Sequence, residues 1–298
     1  MAIYEIQKDG NLKPIKSMPF ANEDEIHRIS EENLNTIFGL EFVRREFPIN
    51  NFRIDTLAFD PQNNAFVIIE YKKDESFSVI DQGYAYLGLM LNNKADFILE
   101  YNNKMQEPLN KSDIDWSQSR VMFISPVFTI YQKESINFKN LPIELWEIKK
   151  FTNNFISYNK IKPAKSAEDI NIITKGSKVI NKISNEIKTY TEEDLLRSSS
   201  SKIKTAFSSI KEVVYNLDGE IDEKVGKTMV NFTLDDRGLV FVRPQKKKIR
   251  LWLRKGKYKD KNDKLLPKGW GGYPFIYFSE DEFDIDYIKE LIKQACEY

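Results

Sequence analysis

The run Phe66-Val67-Ile68-Ile69-Glu70-Tyr71-Lys72 is strongly apolar, yet it ends in a carboxylate and an ammonium. In a β-strand successive side chains alternate, so Glu70 and Lys72 share one face, about 7 Å apart along the chain direction. A second run, Arg53-Ile54-Asp55-Thr56-Leu57-Ala58, sets Asp55 in an apolar frame. Between the runs lies Asp60-Pro61-Gln62-Asn63-Asn64, a turn-forming pentapeptide. A hairpin closed there brings Asp55 beside Glu70. Two carboxylates in a partly desolvated site repel each other unless a cation sits between them. A hard divalent ion, Mg2+ or Mn2+, suits Asp55, Glu70, a backbone carbonyl (that of Tyr71) and several waters. Beside it, Lys72 is suited to orienting or deprotonating a water while offsetting phosphate charge, which is the equipment for phosphodiester hydrolysis. The bland reading is a solvated Glu–Lys pair at a strand end, because a bare D…ExK string recurs by chance in a chain with 45 acidic and 45 basic residues. What raises the string above chance is its context of hairpin, buried strand and following helix.

The surrounding pattern predicts those elements. Glu23 to Phe38 has the spacing of an amphipathic helix stopped by Gly39. Strands are expected at Leu40 to Phe47, Phe52 to Phe59 and Ala65 to Lys72, then a helix from Val79 to Leu91. Further strands are expected at Ala95 to Tyr101, Arg120 to Ser125 and Glu144 to Phe151. This order implies an α/β sandwich around a mixed sheet over residues 1–155. The polar stretch 156–190, interrupted by Pro163 and Gly176, reads as a linker, with a helix at Lys178 to Lys188. A second, smaller α+β domain occupies 191–298. It opens on the capping box Thr191-Glu192-Glu193-Asp194 and continues with an amphipathic helix from Lys202 to Leu217. Strands are expected at Thr228 to Leu234, Leu239 to Arg243, Lys248 to Arg254 and Pro274 to Phe278, and a last helix is expected from a cap at Ser279.

With Gln82-Gly83-Tyr84-Ala85-Tyr86 added to Asp55 and the Glu70–Lys72 strand end, the first domain resembles the PD-(D/E)XK nuclease superfamily. The likeness is to its RecB-like and NucS-like branches, which carry a Gln-x-x-x-Tyr motif on the helix after the ExK strand. It covers roughly residues 20–150. It implies a restriction-endonuclease-like mixed sheet flanked by helices, with Asp55 and Glu70 as metal ligands and Lys72 assisting hydrolysis. Gln82 and Tyr86, at i and i+4 on one helix face, would position DNA or the active-site groups. The family often adds a carboxylate from its first helix; Glu23, Glu25, Glu31 and Glu32 are the candidates, with Glu25 preferred. The proline of the family's name is absent before Asp55, where Ile54 stands.

Composition narrows the alternatives. One cysteine, Cys296, excludes an internal disulfide or a cysteine metal cluster, and one histidine, His27, excludes a two-histidine zinc site. His27 lies in a polar helical stretch and reads as structural or partly exposed. Gly226-Lys227-Thr228 lacks the upstream glycine and the buried strand of a phosphate-binding loop, so it reads as a turn. No signal peptide or spanning apolar run is visible, and the reading is of a soluble, cytoplasmic protein without a membrane partner. A homodimer is one assembly open to it. Trp116 and Trp146 read as core or interface aromatics rather than base-stacking platforms, and Gly269-Trp270-Gly271-Gly272 as a flexible turn.

Between Arg243 and Lys268 stand twelve Lys or Arg against two Asp, interleaved with Trp252 and Tyr258, so the net-neutral chain has a basic segment. Lys246, Lys247, Lys248, Arg250 and Arg254 form either a nucleic-acid surface or the solvated side of a hairpin. Residues 191–298 also resemble an uncharacterised family of domains at the C-terminus of nuclease-like proteins, on Lys246 to Leu253, the glycine-tryptophan loop and the helix Asp286 to Ile292. The expectation is therefore a divalent-metal-dependent nuclease acting on DNA. The alternative is a catalytically inactive nuclease fold kept for nucleic-acid binding or scaffolding.

Overall fold

The computed structural model describes residues 3–73, 78–105, 108–164, 166–169, 190–267, 269 and 272–298. They divide into two units: unit 1 holds residues 1–37, 41–59 and 66–187, and unit 2 holds 38–40, 60–65 and 188–298.

Unit 1 opens with a two-stranded antiparallel hairpin, β1 (Ile3–Ile6) and β2 (Leu12–Ile15), followed by the short β3 (Ser17–Met18). Its centre is a seven-stranded mixed sheet. Beyond β3, the sheet is built from β4 (Glu41–Ile49), β5 (Phe52–Asp60), β6 (Ala65–Tyr71), β7 (Arg120–Ser125), β8 (Ile143–Phe151) and β9 (Ile156–Ile161). The order is β3-β8-β7-β6-β5-β4, with β9 also paired to β8. β6, β7 and β8 run parallel, whereas β4 on β5 and β8 on β9 are antiparallel. Every residue of β6 is buried, and that double coverage explains a strand with no polar alternation before Glu70.

Helices cover both faces of this sheet. α1 (Glu23–Glu32) is capped by Asn22, whose side chain accepts from the Glu25 N–H. It buries Ile26, His27 and Ser30. The helix expected to run unbroken to Phe38 ends at Asn33, which caps its C-terminus, and resumes as α2 (Leu34–Phe38). On the other face lie α3 (Val79–Asn92), capped by Ser78, and α4 (Lys94–Lys104). α4 overturns the strand expected at Ala95 to Tyr101. Phe97 and Tyr101 stand one helical turn apart and are buried, while Leu99 between them faces solvent. The parallel step from β6 to β7 also needs a crossover connection, which α3 and α4 supply. A one-turn α5 (Ile130–Ser135) carries a capping box of Thr129 and Gln132.

A second correction concerns the stretch assigned to a linker from residue 156. Residues 156–161 form β9, paired residue by residue with β8 from Lys150 to Leu145. Their weak apolar alternation hid the strand, because an edge position leaves one side of the backbone unpaired and tolerates polar side chains. The helix expected at Lys178 to Lys188 lies outside the described residues.

Unit 2 begins with α6 (Glu192–Leu196), on the Thr191–Asp194 capping box, and α7 (Ser201–Tyr215), capped by Ser200. A five-stranded antiparallel sheet follows in sequence order: β10 (Ile221–Val225), β11 (Val230–Leu234), β12 (Arg237–Pro244), β13 (Lys248–Leu253) and β14 (Phe275–Ser279). β10 is absent from the sequence reading, since Ile221-Asp222-Glu223-Lys224-Val225 is mostly charged. It is an edge strand, where charge is tolerated and discourages further pairing. Gly226, Lys227 and Thr228 form the turn to β11, closed by the Gly226 N–H on the Met229 carbonyl at 2.8 Å. The last helix, α8 (Ile285–Ala295), is capped by Asp284; Ser279, expected to be that cap, ends β14. Phe207 and Ile210 of α7 and Ile288, Leu291 and Ile292 of α8 share one core with Val240, Val242, Ile249, Leu251, Ile276 and Phe278 of the sheet.

Candidate active site

Alternation along β6 aims Phe66 and Ile68 into the core that holds Leu87 and Met90 of α3, and Glu70 follows on the same face. The hydrogen bonds between neighbouring strands then lock the acidic pair. Glu70 Oε1 accepts the Asp55 backbone N–H at 3.2 Å, and Asp55 Oδ2 accepts the Tyr71 backbone N–H at 3.1 Å. Each carboxylate is thus held by the backbone of the strand that carries the other. Lys72 Nζ donates to Glu70 Oε2 at 3.3 Å. From α3, Gln82 Nε2 donates to the same Oε2 at 3.1 Å and lies 3.2 Å from the Tyr86 hydroxyl. Asp55, Glu70, Lys72, Gln82 and Tyr86 therefore form one connected cluster.

Glu70 is 1 % exposed, so ionising it there is costly. Burial, and then the Asp55 charge beside it, push its carboxyl from the usual 4.5 up to about 7, against the opposing pull of Lys72. The Tyr86 hydroxyl is also raised, first by burial and then by the nearby Glu70 charge. Such perturbed groups converging on one place mark a functional-site candidate.

Tyr71 reaches this cluster through its backbone only. Its ring points to the opposite face of the sheet, with its centroid 4.3 Å from that of His27. His27 is buried there, 3.1 Å from the Thr56 hydroxyl and 3.3 Å from Glu31, a structural setting on α1. Glu25, preferred as the helix carboxylate, is engaged elsewhere: it accepts the Ala21 N–H at 2.7 Å and pairs with Lys150 at 2.5 Å. That hydrogen bond from Lys150 holds the Glu25 carboxyl below its usual range. The α1 carboxylate at the end of β6 is that of Glu23, which accepts the Lys73 N–H at 3.0 Å. Helix spacing could not choose between them, because the choice depends on where α1 crosses the sheet.

Among the described residues, no group of three His, Cys, Asp or Glu is arranged to hold a metal ion. The donors that do converge are two hard carboxylates whose mutual repulsion a cation would relieve. That set fits a small divalent ion that keeps most of its waters.

Comparison with known proteins bears on the whole chain. A protein of Haemophilus influenzae described as "Uncharacterized protein" is 42% identical over 294 residues, covering 97% of each chain. The chain belongs to that protein's family. Residues 192–297, nearly all of unit 2 beyond its N-terminal segments, match a "Domain of unknown function (DUF5655)". Among solved structures, a repair endonuclease from Pyrococcus abyssi is similar at 18% identity and a TM-score of 0.26, over 44% of this chain and 50% of that one. The SfsA protein of Pyrococcus furiosus, solved with Ca2+, is similar at 12% identity and a TM-score of 0.26, over 54% of this chain and 79% of that one.

One residue near the cluster carries no motif and was missed. Phe52, at the start of β5, is half exposed and meets Tyr86 edge-on, with centroids 6.5 Å apart. Trp116 instead stacks on Phe66, half-buried against the core, and Trp146 is buried. In unit 2, Lys246, Lys247 and Lys248 are exposed, and Lys247 approaches Glu280 at 3.6 Å. Arg250 is half-buried. Arg254 is not a surface cation. Its guanidinium is buried and donates to the carbonyls of Gly238 at 2.7 Å, Arg237 at 2.9 Å and Leu234 at 3.3 Å, tying the β12 hairpin together. Trp270 and Gly271 lie outside the described residues. No described helix is long and apolar enough to cross a membrane.

Proposed function

We propose that the chain is a divalent-metal-dependent nuclease that hydrolyses DNA phosphodiesters, with its active site at Asp55, Glu70 and Lys72. The observation that carries this reading is the reciprocal locking of Asp55 and Glu70, with Lys72 on the same carboxylate. Asp55 and Glu70 would hold Mg2+ or Mn2+, which supplies charge to polarise the phosphodiester and acidify the attacking water. Lys72, on the same face as Glu70, would orient the attacking water or offset the phosphate charge with its ammonium. Gln82 keeps the Glu70 carboxylate in one orientation and is itself placed by Tyr86. The backbone N–H groups of Asp55 and Tyr71 fix the ligand oxygens before substrate arrives, so little reorganisation is needed.

The second reading is an inactive nuclease fold kept for binding. It is favoured by the fact that Glu70 Oε2 already has both Lys72 and Gln82 as donors, a self-satisfied arrangement. Labelled single- and double-stranded DNA incubated with Mg2+, Mn2+ or EDTA separates the two. Nuclease action gives cleavage that needs the metal and falls at least ~100-fold in Asp55→Ala, in line with losing a main electrostatic group. Equal behaviour of wild type and Asp55→Ala would leave the binding reading.

A further inference from the structure

The five-stranded sheet of unit 2 has one face under α7 and α8, so its alternate residues form a second face with a composition of its own. Across β12, β13 and β14 the register sets Phe241 beside Trp252 and Trp252 beside Phe275. One row along, it sets Arg243 beside Arg250 and Arg250 beside Tyr277, and Lys248 lies beyond them on β13. Two arginines directly opposite across an antiparallel pair destabilise the sheet unless something compensates. Among the described residues no carboxylate pairs with Arg243, Arg250 or Lys248. The Arg250 guanidinium lies over Trp252 at 5.5 Å and Phe275 at 5.6 Å, and Lys248 stands 6.0 Å from the Tyr277 ring. Arg250 Nε is sealed from solvent with no acceptor among the described residues, while its cross-strand neighbour Tyr277 is 52 % exposed. A guanidinium fixed over two rings without a carboxylate partner among the described residues, a second guanidinium beside it and an open aromatic ring together call for a ligand with both anionic oxygens and flat faces.

We propose that this face binds a single strand of nucleic acid, with Arg243 and Arg250 on its phosphates and Tyr277, next to the Arg250 plane, stacking its bases. An acidic peptide would satisfy the arginines but leave the exposed ring unused. A duplex hides its base faces and offers only backbone. The site deepens the nuclease reading by naming the substrate form, but it stands on unit 2 alone.

The test is fluorescence anisotropy of the full-length protein with a labelled thymidine oligonucleotide in EDTA, so that no cleavage intervenes, over a series of salt concentrations. Tyr277→Ala, at an exposed position, should weaken binding by about 5- to 100-fold, the worth of one stacked base, without changing the salt slope, and Tyr277→Phe should bind as wild type. Arg243→Ala with Arg250→Lys should weaken binding and flatten the salt slope by about one unit for the lost charge. Binding of duplex as tight as single strand would overturn the proposal. So would an affinity indifferent to Tyr277, displacement by polyglutamate as effective as by oligonucleotide, or no binding at all. Cleavage in Mg2+ that persists when this binding fails would remove only this proposal; binding that persists without cleavage would remove only the nuclease reading.

Discussion

At the scale of single residues, the cluster is governed by what burial does to Glu70. A folded carboxyl that titrates at about 7, against its ordinary 4.5, binds its proton more tightly in the native than in the unfolded chain. The stability this confers is fully present below about 4.5 and is lost as pH rises through about 7. Denaturant melts of the wild type should therefore show stability falling across that window, and Glu70→Gln should show a flatter profile. Equal slopes would mean that Glu70 is not the buried acid it is here. The same repulsion predicts stabilisation by metal. At pH 8, Mg2+ or Mn2+ should raise the wild-type Tm, by the equivalent of about 2.7 kcal/mol at a hundredfold excess over Kd, and should not raise that of Glu70→Gln. Aspartate and glutamate types were legible at once, as was Lys72. The roles of Glu23, Glu25 and Arg254 were not, because each depends on a partner far away in sequence: Lys73, Lys150 and the carbonyls of Leu234 to Gly238 respectively.

At the scale of elements, α3 has to lie close to the sheet for Gln82 to reach Glu70. Gly83, next to Gln82, is what permits this: a Cβ there would stand 2.5 Å from Cδ1 of Ile143 on β8. Gly83→Ala should cost about 1–3 kcal/mol by overpacking, partly offset by about 1 kcal/mol of helix propensity. Because Ile143→Val removes the nearer obstructing atom, Cδ1, and leaves Cγ1 at 2.9 Å, the double variant should recover part of the loss seen in Gly83→Ala alone in urea melts. If Ile143→Val gives no relief, the close approach of α3 is not set at this contact. Elements with strong periodicity and a cap, such as α3 and α7, were readable from the chain to within a residue or two. α4 was not: Phe97-Ile98-Leu99 has the local composition of a strand, and only the crossover demanded by the parallel β6–β7 pair decides for a helix.

At the scale of the whole molecule, each unit has its own main core among the described residues, and unit 2 adds a smaller cluster of Phe241, Trp252 and Tyr273. In unit 2 the fully buried Phe207 joins α7 to the sheet beneath it. Phe207→Ala should cost about 3–5 kcal/mol, and amide exchange in β11 and β13 should accelerate accordingly. Unchanged protection there would place the weight of that core elsewhere. The family relationship extends along 97% of the chain, so both units are shared with the relative. Net charge says little at this scale: 45 acids cancel 45 bases overall, yet Arg243 and Arg250 still face each other across one sheet.

The sequence by itself determined the hairpin that carries Asp55 and Glu70, the helix that carries Gln82 and Tyr86, and the buried run between them. All of these rest on periodicity and turn chemistry over a few residues. The tertiary structure alone decided which glutamate of α1 meets the end of β6, that residues 156–161 complete the sheet, and that Arg254 ties backbone carbonyls together while Arg250 lies half-buried over Trp252 and Phe275. Those outcomes depend on which distant strand or helix lies alongside, and a local pattern of side chains has no term for that.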